Sequence, residues 1–187
     1  MNIPPDIDEI YLAIGEFVVF FQSVEDMYRQ LGWQIIDPEK KSWPPLQLRR
    51  ESNKDLIDKV TDLFVKLTNQ YEFLDGQELS ARAENLRTVF HRLRKFRNRV
   101  VHSTYHEVKS GSDVVAIVRT NPRISVDPDT GEIEYAQESA DPGAIRNEMG
   151  RHVQAFFELH ALRIQLVHWY PYPGLIRCQN TLVHRPI

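Results

Sequence analysis

The sequence predicts an all-α fold, a four-helix up-down bundle with a small β-hairpin or meander inserted between the third and fourth helices. Three observations point there. Apolar residues recur at helical spacing along four long stretches. Capping residues and glycine or proline breakers bound those stretches. Only between residues 109 and 138 does the period shorten toward that of strands. At 187 residues, with 42% of them hydrophobic, the chain can bury one sizeable core and is read as a single domain, 1–187.

The first helix opens at Asp6-Ile-Asp-Glu9, where Asp6 can take free amides and Glu9 can reach back. Ile7, Ile10, Tyr11, Ile14, Phe17, Val18, Phe21, Tyr28 and Leu31 follow at helical spacing. Gly32 is expected to end it, and residues 33–51, which hold Trp33, Trp43, Pro38, Pro44 and Pro45, read as a structured connection. Ser52-Asn-Lys-Asp55 caps a second helix that reaches about residue 73, where Asp75-Gly76 breaks it. The third starts near Gln77 and runs at least to His102, with Leu79, Leu86, Val89, Phe90, Leu93, Phe96 and Val100 on one face. Asp141 caps the fourth, Pro142 takes its first position, and it ends about Trp169. In the insertion, Val114–Val118 and Ile124–Val126 are β-branched, Ile133 and Tyr135 alternate with acids, and Asp127–Gly131 carries turn chemistry. Residues 171–187 lack a helical period and read as an extended tail.

Composition narrows the function. Twenty-three basic residues against 26 acids leave a net charge of −3, which excludes wholesale coating of nucleic acid but leaves room for a local basic patch. The longest strongly apolar run, Phe17 to Phe21, falls far short of the ~20 residues a membrane span requires, so no membrane partner is expected. The N-terminus lacks the basic-then-apolar order of a signal peptide, and a single cysteine, Cys178, permits no disulfide within the chain. The expected compartment is the reducing cytoplasm.

The positive charge is concentrated. Between Asn85 and His106 stand Arg87, Arg92, Arg94, Lys95, Arg97 and Arg99 without one acid, which leaves the rest of the chain at −9. Like charges at helical i,i+4 spacing repel. Solvated faces therefore usually mix signs, whereas an unmixed basic helix suits a polyanion. Arg92, Arg94, Lys95 and Arg99 are accordingly candidate RNA-binding residues.

Within that run, Arg97-Asn98-Arg99-Val100-Val101-His102 resembles the R-x4-6-H motif of the HEPN superfamily, with a polar residue directly after the arginine. The motif's place late in a long helix, with one long helix before it and another after, is also similar to that family. The resemblance implies a metal-independent endoribonuclease acting as a homodimer, in which two motifs build one RNA-cutting cleft. It implies a toxin or defence role too, with a nucleotidyltransferase-like antitoxin as a further partner, and no cofactor. Some toxin members carry a tyrosine two residues after the histidine; here Tyr105 comes three after.

The residue types suit that chemistry. RNA carries its own nucleophile, the 2′-hydroxyl, so cleavage needs a base, an acid and charge stabilisation rather than a metal. His102 is the candidate acid–base group and Arg97 the phosphate fork, while Asn98, at i−4 from His102, can orient the ring or touch the phosphate. Glu25 falls on the apolar stripe of the first helix, where a carboxylate is costly unless paired, and is the candidate to hold Arg97 or His102 in place. Its alternative is an outward position with Val24 carrying the stripe. His102 and His106 have the i,i+4 spacing of a zinc pair but lack HExxH and a third ligand, so no metal site is assigned. The competing function is a catalytically silent module that grips RNA, a nucleotide or a partner protein through the basic helix.

Overall fold

A computed structural model describes residues 6–37, 46–72, 76–120, 125–126, 133–134, 137–169 and 177–178. Four long helices dominate: α1 (Ile7–Ile36), α3 (Asn53–Gln70), α4 (Gly76–Val101) and α5 (Pro142–Trp169), with a single-turn α2 (Leu46–Arg49). Between α4 and α5 lies a three-stranded antiparallel sheet of β2 (Thr104–Ser110), β3 (Asp113–Thr120) and β6 (Gln137–Ser139), in the order β2-β3-β6. Two further pairs are short: β4 (Ser125–Val126) with β5 (Ile133–Glu134), and β1 (Tyr71–Glu72) with β7 (Arg177–Cys178). The expected turn at 127–131 and most of the 171–187 tail lie outside the described residues.

The caps explain where the helices start. Asp6 Oδ1 accepts from the Asp8 amide at 3.3 Å, Ser52 Oγ from Asp55 at 3.3 Å, and Asp141 Oδ1 from Gly143 at 2.8 Å. The end of α1 departs from expectation. Gly32 does not stop the helix, which continues to Ile36. A Cβ at Gly32 would stand 2.7 Å from Val60 Cγ2 and 2.8 Å from a Leu48 methyl, so this glycine serves close packing.

The β insertion begins at Thr104, earlier than 109. β2 is an edge strand with six of its seven residues exposed, so it carries little apolar alternation of its own. It exists because β3 offers a partner. Ser110 pairs with Asp113 across a two-residue Gly111-Ser112 connection, and Gly111 takes φ +67°, the left-handed region that glycine enters without strain.

The contacts divide the chain into two compact units, residues 1–21 with 95–151, and residues 22–94 with 152–187. In the first, Ile10, Ile117 and Ala140 form a buried cluster beneath Ile7, Ile14, Tyr105 and Val114. Phe17 meets Phe96 edge-to-face at 5.3 Å, and Arg146 pairs with Glu16 at 2.9 Å. In the second, Val24, Tyr28 and Leu31 of α1, the α3 residues Leu56, Ile57, Val60 and Phe64, and Leu86, Phe90 and Leu93 of α4 are all buried, as are Leu159, Leu162 and Leu166 of α5. Tyr28 meets Phe90 edge-to-face at 5.6 Å.

The two α1 glycines separate propensity from packing. Gly15 has nothing within 4 Å of a built Cβ, so Gly15→Ala is expected to stabilise by about 0.5–1 kcal/mol through helix propensity alone. At Gly32 the same change meets overpacking worth ~1–3 kcal/mol, and thermal unfolding should show a loss or no gain.

Candidate functional site

The motif helix must end cleanly for Arg97 and His102 to hold fixed positions. A helix leaves its last carbonyls without intrahelical donors. Here three of them find one. The His102 amide donates to Asn98 O at 3.2 Å, Ser103 Oγ to Arg99 O at 2.5 Å, and Tyr105 Oη to Val100 O at 2.8 Å. Tyr105 is anchored in turn, half-buried, with its ring 6.2 Å from Tyr11. Burial pushes its phenol above the usual range, which keeps it a proton donor.

The first unit gathers Lys95, Arg97, Asn98, Arg99 and His102 on the last turns of α4 and the residue after it. Arg97 is half-buried, with its guanidinium carbon 6.0 Å from the centre of the Phe21 ring. One Nη donates to Asn98 Oδ1 at 3.2 Å, while Nε is buried without a hydrogen-bond acceptor. Among the described residues no carboxylate forms an ion pair with Arg97. Arg99 is exposed over Phe96 at 5.7 Å, and Lys95 and His102 are exposed. Because the His102 amide keeps its i−4 bond, the last turn is not unwound, and Arg97 and His102 sit about 140° apart around the helix. One copy aims a half-buried cation and an exposed imidazole in different directions.

Not all of the basic run is available. Arg87 pairs with Asp62, lies 3.9 Å from Asp58 and 3.4 Å from Glu84, and His91 Nε2 meets Asp58 at 2.8 Å. Acids of α3 therefore neutralise the N-terminal part of the run. Arg92 and Arg94 belong to the second unit; Arg92 is exposed, and Arg94 is half-buried with Nε lacking an acceptor. Glu25 is also in the second unit, 15% exposed, with Arg29 at 3.6 Å, and Val24 carries the buried stripe through that turn.

His106 lies on β2, so its spacing from His102 is not that of a helical pair, and no metal-binding cluster occurs among the described residues. Sequence reasoning overlooked Ser103 and Tyr105 as caps. A polar residue just past a basic helix hints at the first, but the reach from Tyr105 to Val100 needs the strand that follows. Comparison with known proteins finds no matching family model, no matching curated protein and no matching solved structure.

Tyr105→Phe should leave the ring packing intact and expose one carbonyl acceptor. The expected cost is about 0.5–1.5 kcal/mol in chemical unfolding, with faster amide exchange confined to residues 101–106. Unchanged exchange there would exclude Tyr105 as the cap.

Proposed function

We propose that the chain is a metal-independent endoribonuclease that works in the cytoplasm as a homodimer, its four long helices packed up and down as a bundle. The reading rests on one observation above the others. Arg97 is a half-buried cation with a neutral amide, Asn98, as its hydrogen-bond partner and no carboxylate among the described residues, five positions from an exposed imidazole. A buried cation is costly until an anion reaches it, and an RNA phosphate supplies one.

In the proposed reaction the 2′-oxygen attacks phosphorus and the bond to the 5′-oxygen breaks, leaving a 2′,3′-cyclic phosphate and a free 5′-hydroxyl. His102 of one copy takes the 2′ proton and His102 of the other delivers a proton to the leaving oxygen. Arg97 places its fork on the phosphate oxygens, where charge grows in the transition state, and Asn98 holds the guanidinium. The 140° separation on one helix is the reason for two copies, since a two-fold axis brings the histidine of one to the arginine of the other. Lys95, Arg99 and Arg92 add phosphate contacts and Arg94 contributes positive charge in this scheme. A nucleotidyltransferase-like antitoxin is the proposed restraint on a toxin of this kind.

Single-stranded RNA incubated in excess chelator tests the reading. His102→Ala and Arg97→Ala should each lower cleavage by ~10²–10⁴-fold or more, because one substitution alters both copies of the cleft. Circular dichroism and the dimer mass by light scattering should stay unchanged. Arg97→Lys should fail too, since an ammonium lacks the planar fork. Arg92→Ala should only weaken binding and flatten its salt dependence. Wild-type cleavage by His102→Ala overturns the catalytic assignment, and a monomer at micromolar concentration overturns the composite cleft. Equal losses for Arg92 and His102 favour the silent binding module.

A further inference from the structure

The three strands of the sheet carry one continuous row of side chains that ends on the motif helix. Tyr105 of β2 stands directly opposite Arg119 of β3, and Arg119 stands directly opposite Glu138 of β6. Residues paired in this way share one face of an antiparallel sheet, with Cβ atoms about 4.5–5.5 Å apart. Arg119 Nε donates to Glu138 Oε2 at 3.0 Å, and one Nη donates to the same oxygen. On its other side the guanidinium lies within hydrogen-bonding reach of the Tyr105 oxygen. That oxygen carries a single proton, which goes to Val100 O at 2.8 Å. The row therefore runs Glu138, Arg119, Tyr105, Val100, and His102 follows two residues later.

Each link has a physical reason to hold. The Arg119 side chain is 16% exposed against 51% for Glu138, so the contact toward Tyr105 lies on the sheltered side of the pair. A planar guanidinium meets two acceptors in fixed directions, which a flexible ammonium does not. The Glu138 carboxyl is held below its usual range by the Arg119 hydrogen bond first and then by its charge, with Arg99 of the motif adding a smaller pull. The Tyr11 ring fixes Tyr105 from a third side. A phenol free to swing would leave the Val100 carbonyl unmet part of the time, and the last turn of α4 would fray. His102 is exposed, so the backbone that carries it, rather than packing, sets where its ring stands.

We propose that Arg119 is a positioning residue for His102, holding Tyr105 on the Val100 carbonyl so that the imidazole keeps one place relative to Arg97. The purpose of this role rests on the cleavage reading, whereas the row itself does not. Arg119 touches no RNA in this scheme; it acts through the Tyr105 hydroxyl. Glu138 serves by aiming the guanidinium.

Arg119→Met tests this, because methionine keeps an apolar stem and loses the fork. In a wild type that cleaves, kcat should fall about 10- to 100-fold with KM unchanged, the pattern of a misplaced acid–base group. A purely structural ion pair lowers the melting temperature and leaves kcat alone. Arg119→Lys should restore only part of the rate. Two further readouts need no RNA. Amide exchange should quicken at residues 101–106 and the ring-proton NMR signal of His102 should shift, while exchange in α5 stays as in the wild type. Adding Arg119→Met to Tyr105→Phe should move neither readout further, since both changes break the same chain of contacts. Glu138→Gln, at an exposed position, should give the same local pattern at smaller size, and it carries the test should Arg119→Met fail to fold. The proposal is overturned if these variants leave exchange at 101–106 and the His102 signal unchanged, if the Arg119 and Tyr105 effects simply add, or if Arg119→Met cleaves with the wild-type kcat. A wild type that cleaves no RNA ends the cleavage reading, and exchange and the His102 signal then still decide whether Arg119 holds the turn.

Discussion

The last turn of α4 has to satisfy its backbone carbonyls before the chain can turn into β2, and much of the first unit follows from how it does so. A buried carbonyl without a donor costs about as much as a lost hydrogen bond. The amide of His102 and the hydroxyls of Ser103 and Tyr105 meet the carbonyls of Asn98, Arg99 and Val100 in turn. Helical geometry therefore holds through the motif, and the histidine stays outside while Arg97 stays half-inside. Tyr105 reaches its acceptor because it already stands on β2, and β2 stands where it does because β3 pairs with it from Thr104 to Ser110, with one register shift between Val108 and Lys109. The sheet and the motif turn are thus one construction.

Charge is handled in two ways along the same helix. Arg87 is half-buried and surrounded by acids, so its desolvation is offset within the fold. Arg97 and, on α5, Arg163 are half-buried too, but their hydrogen-bond partners are neutral: the Asn98 amide for one, the Gln30 amide and the His160 imidazole for the other. Nε is buried without a hydrogen-bond acceptor in both, as it also is in Arg87 and Arg94. Neutral amides hold a guanidinium in place without cancelling its charge, which leaves that charge for an incoming anion. The first instance lies five positions before the exposed His102 on the same chain segment.

The first unit is also held by contacts that do not touch the motif directly. Ile10, Ile117 and Ala140 bury against one another, and the Ala140 amide donates to Ile117 O at 2.8 Å. Arg119 and Glu138 face each other across β3 and β6, and the arginine holds that carboxyl below its usual range, first through the hydrogen bond and then through its charge. Such cross-strand pairs set register at an exposed position where little apolar burial is available to do it.

The existence, type and starting points of the four long helices could be read from the residues, because periodicity and capping are local, whereas the single turn α2 fell in a stretch read as a connection. Asp6, Ser52 and Asp141 do what their chemistry predicts, and the six-residue motif announced itself within an acid-free run. What sequence alone determined was a mostly helical chain, a strand-forming stretch before the last helix, and a local excess of positive charge around Arg97 and His102. Only the tertiary structure decided the rest. Gly32 looked like a breaker, yet Val60 and Leu48 approach it and the helix continues. β2 has almost no apolar alternation and depends on its neighbour. The neutralisation of Arg87 depends on Asp58 and Asp62, some thirty residues away, and the poverty of partners at Arg97 and Arg163 could not be foreseen from composition. The physical reason is the same in each case: local pattern records what a segment prefers, while pairing, close approach and desolvation depend on which distant group the fold brings near.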